Sequence, residues 1–118
     1  MVPAPTTSTR FNSCMRVSMK QFEAAAQAAV DSIPETFGPY LENTVFILEE
    51  SSPDGLMGLY EGATALAAGE GMPERITLYK RSHEEAARSM EDLVAEVRRT
   101  ILHEVGHHFG MEEDDLPY

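Results

Sequence analysis

The chain has 118 residues, of which 42% are hydrophobic, which is enough for one compact domain and too short for two. Against 9 Lys and Arg stand 20 Asp and Glu, and a net charge of −11 disfavours both nucleic acid and an anionic membrane surface as partners. A single cysteine, Cys14, cannot close an internal disulfide, and no apolar run approaches the roughly 18 residues needed to span a bilayer.

The opening stretch "MVPAPTTSTRFNSC" is rich in Pro, Ser and Thr and lacks the basic-then-apolar order of a signal peptide. Residues 1–17 are therefore expected to form a flexible tail, residues 18–118 the domain, and the cytoplasm the setting. Ser18, with Gln21 three residues on, marks a helix start, and "MKQFEAAAQAAVDSI" is dense in helix formers. Met19, Phe22, Ala26, Ala29 and Ile33 fall on one face of that helix, which Pro34 ends.

"NTVFILEE" is a β-branched apolar run of strand length, and "SSPDG" turns the chain after it. "LMGLYEG" reads as a short strand interrupted by glycine, and "ATALAAGEGMP" as an irregular loop. "RITLYK" alternates between two faces, which suits a strand with one wet face or one at a sheet edge. His83 then falls in a polar stretch and is expected at the surface. From Ser89, with Asp92 completing a cap, a long helix runs through "SMEDLVAEVRRTILHEVGHHF" to a stop at Gly110. This order predicts an α+β domain with a short sheet packed on two main helices, the second of them at the C-terminus.

The last helix carries the chemistry. His103-Glu104-Val105-Gly106-His107 is an H-E-x-x-H. Residues four apart on a helix lie roughly 40° apart around its axis and one turn apart along it. Two neutral imidazoles so placed can reach one zinc ion, and Glu104 can take a proton from a water beside it. Met90, Leu93, Val94, Ile101 and Val105 lie within roughly 80° of Val97 and define a core stripe. His103 and His107 fall to one side of it, at the border with solvent. His108 falls close to it and is expected to pack.

A catalytic zinc takes three protein ligands and keeps one position open. Only eleven residues follow His107, so the third donor is expected from the acidic run Glu112-Glu113-Asp114-Asp115, brought back by a chain reversal at Gly110. Tyr60 and Tyr79 are candidates to polarise a substrate carbonyl, although packing is the commoner role for such tyrosines.

The pattern His103-Glu104-x-x-His107-x-x-Gly110-x-x-Glu113, with "GLYEG" and "PERITLYK" upstream, resembles the minimal zincins, small bacterial zinc metallopeptidase-like proteins. The resemblance implies a mixed sheet with an active-site helix and one zinc per chain, held by His103, His107 and an acidic residue at the position of Glu113, where aspartate is usual. The leading expectation is a zinc-dependent peptide hydrolase acting on a peptide or protein substrate, with Glu104 as general base and an extended peptide adding antiparallel to the "RITLYK" edge. A non-catalytic zinc- or peptide-binding module of the same shape is the alternative. Peptide deformylase, which shares H-E-x-x-H, requires a cysteine ligand in a context that Cys14 lacks.

Overall fold

The computed structural model describes residues 15–62, 74–111 and 116. Helix α1 spans Met19–Asp31, followed by a 3₁₀ turn Glu35–Phe37 and a short helix α2, Gly38–Leu41. Strands β1 (Thr44–Glu49), β2 (Gly58–Glu61) and β3 (Glu74–Tyr79) precede helices α3 (Lys80–Ala86) and α4 (Met90–Phe109). The expected loop between β2 and β3 lies largely outside the described residues.

Local chemistry sets the two long helices where the sequence places them. Ser18 Oγ accepts from the Gln21 amide at 3.1 Å and Gln21 Oε1 accepts from the Ser18 amide at 2.8 Å, a reciprocal cap on α1. Ser89 caps α4 in the same way through the Asp92 amide. The buried face of α1 is Phe22, Ala25, Ala26 and Ala29, and its alanines let α1 pack against α4. On α4 the buried residues include Leu93, Val97, Ile101 and Val105, as the stripe predicted. Met90 departs from it: at 41% exposure it sits in the first turn, before the helix reaches the core.

The sheet order is β1-β3-β2, with β1 parallel and β2 antiparallel to β3. The structure therefore corrects the edge reading of "RITLYK". β3 is the central strand, and Lys80 opens α3 instead of ending the strand. Polar–apolar alternation suggested one wet face, yet Thr77 on the second face is only 7% exposed, between two neighbouring strands. No peptide can add along β3. The edge flanking α4 belongs to β2.

A second correction concerns "KRSHEEA", which is helical, and His83, which is 0% exposed. Beside it Lys80 and Glu84 are buried and close a network with the start of the described chain. Glu84 Oε2 accepts from the Val17 amide at 2.7 Å and from Lys80 Nζ at 3.1 Å, and Lys80 Nζ donates to the Val17 carbonyl at 2.7 Å. Burial acts to raise the Glu84 pKa, but the Val17 amide, Lys80 and Arg81 outweigh it and leave the carboxyl below its ordinary value. Val17 is buried and Met15 packs on the core, so the packed part begins upstream of Ser18.

Candidate metal and peptide site

The last two turns of α4 expose His103 and His107 on one side of the helix. Their ring centroids are 4.6 Å apart with planes inclined by 62°. The i, i+4 spacing and the solvent border of the helix together account for that pairing. Two imidazoles at such a separation suit a borderline-soft ion that prefers nitrogen, which is the donor chemistry zinc takes. Among the described residues no group of three or more His, Cys, Asp and Glu is close enough to hold a metal. The expected third donor, Glu113, and its neighbours Glu112, Asp114 and Asp115 lie outside the described residues.

The chain on either side of that acidic run returns to the helix. Gly110 has φ 68°, the left-handed region that a side chain would disfavour. The Met111 amide bonds the Gly106 carbonyl at 2.8 Å and the Gly110 amide bonds that of His107 at 3.4 Å, the paired bonds of a Schellman turn. Leu116 then lies against Gly106: a Cβ built there would meet Leu116 Cδ1 at 3.0 Å. Gly106, a poor helix former in mid-helix, is the residue that leaves room for this return.

Glu104 is half-buried, and its Oε1 accepts from the Tyr60 amide at 3.2 Å. The strand register explains why that amide is available. The Tyr79 amide bonds the Met57 carbonyl, so odd-numbered residues of β2 bond β3 while Gly58 and Tyr60 turn their backbone groups outward. Burial raises the pKa of Glu104, and the charges of His103 and His107 act in the opposite direction. A carboxylate shifted up in this way is a better proton acceptor than an ordinary surface glutamate.

His108 packs, as expected, but at the surface: it stacks on Tyr60 with centroids 4.1 Å apart and planes 19° apart. The Tyr60 hydroxyl bonds Glu74, so ordinary packing accounts for this ring. Sequence reasoning missed Thr100 and the outer edge of β2. Both border a groove of about 390 Å³ beside the site, lined by Leu56, Met57 and Gly58 on one side and Thr100, His103 and Glu104 on the other. Gly58 offered a signal: a buried glycine within a strand pattern marks a close approach.

No helix of the described residues is long and apolar enough to cross a membrane. No curated protein matches the chain. Among solved structures, a conserved hypothetical protein from Thermus thermophilus is 28% identical, with a TM-score of 0.55 over 79% of this chain and 94% of that one. Residues 41–118 match the zincin-like metallopeptidase family. These residues include all three strands and the whole of α4, and the chain belongs to that family.

Proposed function

We propose that this chain is a zinc-dependent metallopeptidase that cleaves peptide bonds, with one zinc held by His103, His107 and Glu113. The observation that carries the reading is the placement of Glu104. Its carboxylate lies between the paired imidazoles and the outward edge of a β-strand, an edge beside the site that an extended peptide can join. The contacts of Met111 and Leu116, the residues flanking the acidic run, with Gly106 of α4 support a third donor from that run.

Zinc bound there supplies a Lewis acid for a water and for the scissile carbonyl. Glu104 takes a proton from the attacking water as its oxygen bonds the carbonyl carbon. It then delivers that proton to the leaving nitrogen as the C–N bond breaks. With the Tyr60 amide held by Glu104, the outward backbone groups of Gly58 and the Tyr60 carbonyl hold the peptide extended, which keeps the bond in register with Glu104.

The test is Glu104→Gln in the zinc-loaded protein, which preserves shape and removes the base. Zinc content should stay at the wild-type level while cleavage of an unstructured protein substrate falls by about 10²–10⁴-fold. Cleavage at the wild-type rate contradicts this role for Glu104. Zinc-loaded wild type that binds peptides without cutting them points instead to the non-catalytic module.

A further inference from the structure

The sheet has two edges, and β2, beside the paired imidazoles, accounts for one of them. The other is the outer edge of β1. The Glu74 amide bonds the Asn43 carbonyl, so in the parallel register Val45, Ile47 and Glu49 turn their backbone groups toward β3. Thr44, Phe46 and Leu48 turn theirs outward, and among the described residues no strand meets them. Such an edge is a template for another strand unless it is blunted or covered.

Both faces beside this edge offer apolar contacts. On the helix side Phe46 and Leu48 line a hollow of about 140 Å³ with Ala26 and Val30 of α1, and Glu23 borders it. Val30 also lines a second hollow, of about 300 Å³, with Ile33 and Leu41, and Glu35 and Glu42 border that one. On the opposite face Val45 is 44% exposed beside Ile47. Charge then selects the occupant. Among the described residues three glutamates and no lysine or arginine line the two hollows, and Glu49 stands exposed at the far end of the strand. A second copy fits poorly. Antiparallel pairing of two β1 edges about Phe46 uses all three outward residues, but it sets Glu42 opposite Glu50 of the other copy, between chains of net charge −11 each. Lys80, 3.4 Å from Glu50, already serves Glu84 and the Val17 carbonyl.

We propose that the β1 edge is a docking site for an extended apolar segment of a partner protein with lysine or arginine at its flanks. The segment pairs its backbone with Thr44, Phe46 and Leu48 as a fourth strand. Its side chains lie alternately beside Phe46 and Leu48 on one face and beside Val45 and Ile47 on the other. Its flanking cations meet the glutamates at the two ends of the strand. Because β3 separates β1 from β2, the docked segment leaves the β2 edge open, and binding here needs neither zinc nor turnover.

The experiment titrates the zinc-free full chain with a fluorescein-labelled peptide of alternating valine and threonine that carries two lysines at each end. Fluorescence anisotropy at low salt is the readout. This peptide should bind about 10-fold or more tightly than the same peptide with glutamates in place of the lysines. On binding, hydrogen exchange should slow at the amides of Thr44, Phe46 and Leu48. Glu42→Lys/Glu49→Lys, at two exposed positions, should reverse the charge preference. Val45→Lys should weaken the lysine-flanked peptide by about 5-fold or more, and Leu59→Lys, at an exposed position on β2, should leave it unchanged. No binding, equal binding of the two peptides, or a loss in Leu59→Lys instead of Val45→Lys overturns the proposal. Slowed exchange at the same three amides on concentrating the chain without peptide would assign the edge to a second copy, and overturns it too.

Discussion

Two helices of this small domain carry polar side chains four residues apart, and they use them in opposite ways. On α4, His103 and His107 face solvent, one turn apart, beside a half-buried carboxylate. On α3, Lys80 and Glu84 face inward, are 6% and 1% exposed, and close on each other and on Val17. The lesson is that spacing alone does not separate a site from a structural clamp. Burial with charged partners supplied by the protein marks the clamp, and imidazoles at the solvent border mark the site.

That contrast can be broken by removing one group from each helix. Glu84→Ala removes the buried carboxylate that the Lys80 ammonium and the Val17 amide share, leaving Lys80 with the Val17 carbonyl and Glu50, and should cost about 3 kcal/mol of unfolding free energy, measured by urea denaturation. His107→Ala on the metal-free protein removes an exposed ring and should change stability by no more than about 0.5 kcal/mol. A stability loss in His107→Ala as large as in Glu84→Ala would erase the distinction.

The next effect is in the pH profile. Burial lowers the pKa of His83 from 6.5, with the Tyr79 carbonyl opposing the shift. The unfolded chain therefore takes up that proton first. Stability from this group is complete above pH 6.5 and declines as the pH falls below it, by at most about 1.4 kcal/mol per pH unit. Glu84, also shifted down, adds a second loss that begins below 4.5. His83→Gln should abolish the first decline and leave the second, as read from urea midpoints between pH 7 and 4.

The smallest effect sharpens the picture of the α4 site. Leu116, the residue that follows the acidic run in sequence, packs against Gly106, which lies between the two imidazoles on α4. Leu116→Ala should weaken zinc binding on the order of 10-fold without removing any donor, as changes to supporting residues around a metal do. Unchanged affinity in a competition titration would separate the chain return from metal binding.

The same contrast explains what was legible in the sequence. The capped helices, their core faces, the first two strands and the H-E-x-x-H pairing all depend on residues within a few positions of one another, so local periodicity exposes them. The stop at Gly110 is local in the same way, and its left-handed φ matches the glycine found there. His83, Lys80 and Glu84 looked like a polar loop because their partners are distant: the Glu84–Val17 bond closes across 67 residues. The central place of β3 was hidden for a related reason. Its two neighbours are β1 and β2, and nothing within "RITLYK" records that both sides are covered. The β2 edge and Thr100, which frame the groove, emerge only from strand register and helix packing. The position of Glu113 lies outside the described residues, so its role rests on the motif and on the returns of Gly110 and Leu116.

The most direct test of the central claim is metal content, measured by atomic emission on purified wild type, His107→Ala and Glu113→Ala after zinc loading and desalting. One zinc per wild-type chain, lost in both variants, is the predicted result. Zinc retained in Glu113→Ala would contradict the assigned third ligand, and a wild-type chain that holds none would contradict the site itself.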